Sequence, residues 1–173
     1  VLTERKIDYA VIGAMAAAVH GTIRATTDAD ALLAITLPKL EQLKRAFERA
    51  GFEASLRRGD LDDPIPALLL VTDRHENRVD LLAGLRGLDP EVFSRAVTVP
   101  FFRSTLRVIG REDFIAMKCF AGGPQDIDDA RQALRTADQP IDIDLLRRIT
   151  RRFGRPAADI LEPAMVLDPG SGR

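Results

Sequence analysis

Cysteine is nearly absent from this chain, with Cys119 the single example among 173 residues. An internal disulfide is therefore impossible, and a reducing, cytoplasmic setting is expected. Long hydrophobic runs are missing as well. No stretch of about 18 apolar residues occurs, so no membrane-spanning helix and no membrane partner are expected. The apolar segment 9–19 is broken by Gly13 and lacks the basic lead of a signal peptide. Histidine is limited to His20 and His75, and neither has a cysteine or histidine at zinc-ligand spacing. Neither Gly-x-Ser-x-Gly nor Gly-Lys-Thr occurs, which sets aside a serine hydrolase with a nucleophile elbow and a P-loop enzyme. No excess of charge exists either: the net charge is −1, so any nucleic acid must be held by a local patch.

What is present reads as a globular domain. Hydrophobic residues make up 46% and charged residues 29%, and the length supports a core that needs no cross-link. A strand at 8–12 ends at Gly13 and is followed by an alanine-rich helix that stops at Gly21. The nearly continuous apolar run 29–35 predicts a strand covered on both faces. Pro38 opens a helix over 37–50, whose Leu40, Leu43, Phe47 and Ala50 fall on one stripe. Strands are expected at 52–56, 67–71 and 78–82, a short helix at 90–96, and a further strand within 101–109. Helices follow at 112–120, 127–134 and 142–152, and the tail from 168 reads as disordered. The pattern predicts an α+β fold: a mixed β-sheet with helices on one side and a C-terminal helical part. We expect a core at 1–110, a helical part at 111–167 packed on it, and a disordered tail at 168–173.

The chemistry-bearing residues are carboxylates. Asp28 and Asp30 alternate with Ala29, so on a strand both side chains point the same way. Two carboxylates crowded on one face repel unless a cation lies between them, and a hard divalent ion such as magnesium suits oxygen ligands. Taken alone, the pair is a weak signal and also fits the end of a loop before a buried strand. Asp80 lies in the otherwise apolar segment Val79-Asp-Leu-Leu82, where a charge needs a reason. If its strand lies beside that of Asp28 and Asp30, the three carboxylates converge and can hold two metal ions for in-line phosphoryl displacement. The alternative is a strand residue paired with Arg78.

The segment Tyr9-Ala-Val-Ile-Gly-Ala-Met15, then Arg24-Ala-Thr-Thr-Asp-Ala-Asp30, then Glu112-Asp-Phe-Ile-Ala-Met-Lys118 with Asp126 and Asp129, resembles a known order. It is similar to nucleotidyltransferases of the polymerase-beta superfamily, above all to the abortive-infection toxin type, over about 9–134. The resemblance implies a magnesium-dependent transferase that moves a nucleoside monophosphate from a nucleoside triphosphate to a hydroxyl. It implies Asp28, Asp30 and Asp80 as catalytic, metal-binding carboxylates of a two-metal site. It places Gly13, Ala14, Arg24, Thr27 and Lys118 against the nucleotide. It also implies RNA, such as transfer RNA, as acceptor, and a cognate antitoxin as partner. The chain departs from the pattern at Ala14, which lacks the hydroxyl of a Gly-Ser turn, and at Gly122-Gly-Pro-Gln125, where the group carries basic residues.

Five arginines lie within nine positions at Arg147, Arg148, Arg151, Arg152 and Arg155, either as a backbone-binding patch for RNA or as a solvated helix face. Asp126 and Asp129 suit the first turn of a helix as structural charges. Cys119 reads as buried rather than nucleophilic. Transfer to a small molecule such as an aminoglycoside, transfer to a protein hydroxyl, and a catalytically impaired domain that only binds a partner are the competing functions.

Overall fold

The computed structural model describes residues 1–23, 25–60 and 62–166. Arg24 and the tail expected at 168–173 lie outside the described residues.

Among the described residues, seven strands form one mixed sheet: β1 (Tyr9–Ile12), β2 (Asp28–Leu33), β3 (Glu53–Arg58), β4 (Ala67–Thr72), β5 (Arg78–Ala83), β6 (Val97–Phe101) and β7 (Ser104–Val108). Their spatial order is β3-β4-β5-β2-β1-β7-β6. The pairs β2–β5 and β1–β7 are parallel and the rest antiparallel. Six described helices accompany the sheet: α1 (Gly13–Val19), α2 (Leu37–Arg49), α3 (Arg111–Ala121), α4 (Pro124–Arg135), α5 (Ile143–Arg152) and α6 (Arg155–Met165).

The period of two along each strand sorts the core into two halves. Ala31, Leu33, Leu69, Val71, Leu81 and Ala83 face one way and pack on Leu40, Leu43 and Phe47 of α2. Leu32 and Leu82 face the other way, toward Ala16 and Ala17 of α1 and Phe114, Ile115 and Cys119 of α3. The mixed sheet and C-terminal helical part accord with the sequence pattern; α2 alone lies on the second face. Cys119 is fully buried, and burial pushes its thiol up to about 11, so it carries no ready nucleophile.

Three local differences from the expected elements have physical causes. The strand expected within 101–109 is β7, but it pairs with an unexpected strand, β6, in a hairpin that turns at Phe102, whose φ of 51° is left-handed without glycine or asparagine to announce it. The helix expected from 127 begins at Pro124, because proline needs no N–H in a first turn. Helix α6 was not legible: Pro156 sits in its first turn and Pro163 inside it.

A buried ionic knot joins the segment 89–95 to helices α3 and α5. Arg95 donates Nε to Asp113 Oδ2 and Nη2 to Asp113 Oδ1, both at 2.7 Å, and reaches Asp89 Oδ1 at 3.2 Å. Asp89 also accepts from Arg148 of α5 at 3.2 Å. Asp89 and Asp113 are both buried, so these contacts offset a desolvation cost as well as fixing orientation.

Candidate active site

The site grows from the register of two parallel strands. Asp30 of β2 is the Cα partner of Asp80 of β5, and Asp28 is the partner of Arg78. In-register residues of a sheet share a face, so Asp28, Asp30, Arg78 and Asp80 all point toward the side that carries Leu32, Leu82, α1 and α3. That pairing sets the three carboxylates on one face of two neighbouring strands, as the sequence reading required.

Gly13 borders the same spot. Its neighbour Ile12 is the Cα partner of Asp30, and Gly13 itself adopts φ 62°. A Cβ there would overlap the Asp30 Oδ2 atom, so only glycine lets the strand-to-helix turn approach the carboxylate. Ala14 follows it as the second residue of α1, half-buried. Thr26 braces the entry to β2: its hydroxyl donates to the Asp28 carbonyl at 2.8 Å and accepts from the Asp28 N–H at 3.3 Å. Thr27 is exposed beside it, at the rim of a groove of about 750 Å³ that also borders Asp28, Asp30, Asn77 and Arg78.

The electrostatics match the crowding. Burial pushes the Asp30 carboxyl above its usual range, and the negative charges of Asp80 and Asp28 push it further; Arg78 and Lys118 oppose them. Asp80 is held by Arg78, whose Nε donates to Oδ1 and Nη2 to Oδ2, each at 2.7 Å. Asp80 therefore pairs with Arg78 and is the register partner of Asp30.

Lys118 is buried on α3 rather than solvent-facing, and its Nζ lies 2.7 Å from Asp126 Oδ1 and 2.8 Å from Asp129 Oδ2 on α4. It also sits 5.6 Å from the centroid of the Phe114 ring. Gly13, Lys118 and Asp126 line a small cavity of about 150 Å³ between the β1–α1 turn and α3. The aspartates expected to act only as first-turn charges are thus the partners of the lysine, a pairing that depends on how α3 and α4 pack.

The donor set suits a hard divalent cation: three carboxylates on one face, one of them disfavoured as an anion by burial and then by its neighbours. Among the described residues, no three histidine, cysteine, aspartate or glutamate side chains already stand together as a metal cluster. Arg78 takes both oxygens of Asp80 as the side chains stand. His20 belongs elsewhere. Its Nε2 donates to the Ile109 carbonyl at 2.8 Å, and burial, then Arg111, lower its pKa.

The arginine-rich helix is largely occupied within the chain. Arg147 binds Glu162 through two bonds of 2.9 Å, Arg148 reaches Asp89, and Arg152 donates to the Gly87 and Leu88 carbonyls at 3.3 Å. No described helix is long and apolar enough to cross a membrane.

Comparison with known proteins places the architecture. No family model matches the sequence, and no curated protein matches it. Solved structures do. An antigenic nucleotidyltransferase-like protein from Paracoccidioides brasiliensis aligns at a TM-score of 0.54 and 16% identity, covering 95% of this chain and 86% of that one. The antibiotic-resistance factor ANT(2'')-Ia aligns at a TM-score of 0.55 and 14% identity, covering 94% and 89%. A crystal structure of ANT(2'')-Ia in complex with adenylyl-2''-tobramycin aligns at 0.53 and 14%, covering 88% and 90%. The chain therefore has a nucleotidyltransferase-like fold.

Proposed function

We propose that this chain transfers a nucleoside monophosphate from a nucleoside triphosphate to an acceptor hydroxyl, as the polymerase-beta superfamily resemblance implies. The observation that carries the reading is the register of Asp30 with Asp80 at the glycine turn. A fold shared with nucleotidyltransferase-like proteins supports it.

In this reading Asp28 and Asp30 hold magnesium, with Asp80 as the third ligand. Bound magnesium would supply positive charge to the phosphate oxygens during displacement. The acceptor oxygen bonds to the α-phosphorus, the bond to pyrophosphate breaks, and the hydroxyl proton passes to Asp80. Gly13 and Ala14 offer backbone N–H groups at the turn, and Thr27 adds a hydroxyl at the rim. Lys118 is preorganised by Asp126 and Asp129 on the same side as Asp30, where its charge faces phosphate. Arg24 would join them in this role.

Two acceptors follow from different observations. The resemblance to abortive-infection toxins favours RNA, with an antitoxin as partner. The internal engagement of Arg147, Arg148 and Arg152 favours a small hydroxyl compound, since the basic helix is committed to Glu162, Asp89 and main-chain carbonyls. The fold of ANT(2'')-Ia, solved with an adenylylated antibiotic, supports the same choice. Magnesium and each of four labelled nucleoside triphosphates, offered with total RNA, a protein extract and a panel of aminoglycosides, separate these acceptors. Label that enters one pool with the unaltered chain and not with Asp30→Asn supports transfer and identifies the acceptor class. Label entering no pool favours a binding domain that keeps only the fold.

A further inference from the structure

Arg78 stands where a cation is wanted. It precedes Asp80 by two residues on β5, and it is the Cα partner of Asp28 across the parallel pair. Both facts put its side chain on the carboxylate face. Its two 2.7 Å bonds take both oxygens of Asp80, an arrangement that is charge-assisted and geometrically specific. Among the described residues, the other cation acting on Asp30 is Lys118, and that ammonium is already shared between Asp126 and Asp129. Arg78 is thus the group that balances the β2–β5 carboxylates from within their own strands.

A guanidinium that holds both oxygens of a carboxylate leaves a divalent ion only their remaining lone pairs. They compete for lone pairs and repel each other as like charges. The Arg78 side chain is 41% exposed while Asp80 is 14% exposed, so the arginine has open space to move into and the aspartate does not. We propose that Arg78 is a positioning residue that occupies the cation's place at this cluster, and that a divalent ion binds there only as the guanidinium releases Asp80. Arg78 then sets the metal affinity of the site, and the chain is held metal-poor until the metal, alone or with nucleotide, outcompetes it. The proposal rests on the carboxylate-site reading given above.

Manganese binding without nucleotide tests it, read from the loss of the free-ion paramagnetic resonance signal. The chains compared are the unaltered protein, Arg78→Gln, Arg78→Lys, Asp30→Asn, and Arg78→Gln combined with Asp30→Asn. Removing the competing charge should tighten manganese binding by about tenfold or more in Arg78→Gln, in line with the effect of one adjacent charge. Arg78→Lys, which keeps the charge but loses the two-pronged grip, should fall between. Asp30→Asn should remove the binding in either background. Equal or weaker binding in both arginine variants, still dependent on Asp30, overturns the role of Arg78 and leaves the carboxylate reading standing. Binding indifferent to Asp30, or no binding in any of the chains, overturns the carboxylate reading and this proposal with it.

Discussion

Gly13 and Asp30 are in contact across the first two strands so closely that a methyl group on Gly13 would overlap the Asp30 carboxylate. The glycine also holds φ 62°, a conformation that side chains resist. Gly13→Ala should therefore cost about 1–3 kcal/mol of stability, from the left-handed backbone and the clash together. Urea unfolding measures this, and an unchanged midpoint would mean that the turn relaxes freely. The same variant should lose nucleotidyl transfer, because Asp30 must move.

Lys118 ties α3 to α4 through two carboxylates, one of them, Asp129, only 2% exposed. Lys118→Met strands that charge, so a loss of about 3–5 kcal/mol is expected. Adding Asp129→Asn to Lys118→Met should recover a substantial part of it. A loss below about 1 kcal/mol, as for a surface pair, would show that the carboxylates are satisfied without the lysine.

The pH response of His20 has a definite sign. Its folded pKa lies below the ordinary value of 6.5, chiefly because burial disfavours the imidazolium. Its contribution to stability is complete above that value and declines as the pH falls from 6.5 through the folded pKa. Stability measured between pH 7.5 and 5 should therefore fall more steeply in the unaltered chain than in His20→Gln. Parallel curves would remove His20 as the cause. Asp30 acts in the opposite direction at lower pH, since its raised pKa favours uptake of a proton by the folded state.

Arg148 and Arg152 reach Asp89 and the Gly87–Leu88 carbonyls. Replacing both with alanine should lower stability by about 1 kcal/mol, the upper range for partly exposed pairs, and shift the thermal midpoint downward. An unchanged midpoint accompanied by a lost, salt-sensitive affinity for RNA would instead return these arginines to the nucleic-acid reading.

Much of this arrangement was legible in the sequence where the signal is local. Strands β1, β4 and β5 and the stripe of α2 announced themselves through burial periodicity, and the alternation of Asp28 and Asp30 fixed their common face. What escaped depends on distant pairing. Nothing near Asp80 says that β5 lies parallel to β2 in the register that sets it beside Asp30. Nothing near Lys118 reveals that Asp126 and Asp129 turn back toward it, because that follows from the angle between two helices. Asp89, Asp113 and Arg95 were missed for the same reason: each looks like an ordinary surface charge until the 3-10 turn at Pro90–Phe93 docks on α3 and α5. The Phe102 turn carried no glycine or asparagine signal at all.

The most direct test of the central claim is where a metal–nucleotide complex sits, independent of any acceptor. Manganese would be added with each nucleoside triphosphate in turn to the isotopically labelled chain, and amide signals followed for paramagnetic broadening. The account predicts selective broadening at Gly13, Asp28, Asp30 and Asp80, with Lys118 next and the Asp89–Arg148 region unaffected, and its loss in Asp30→Asn. Broadening centred elsewhere, or none at any nucleotide tried, would contradict it.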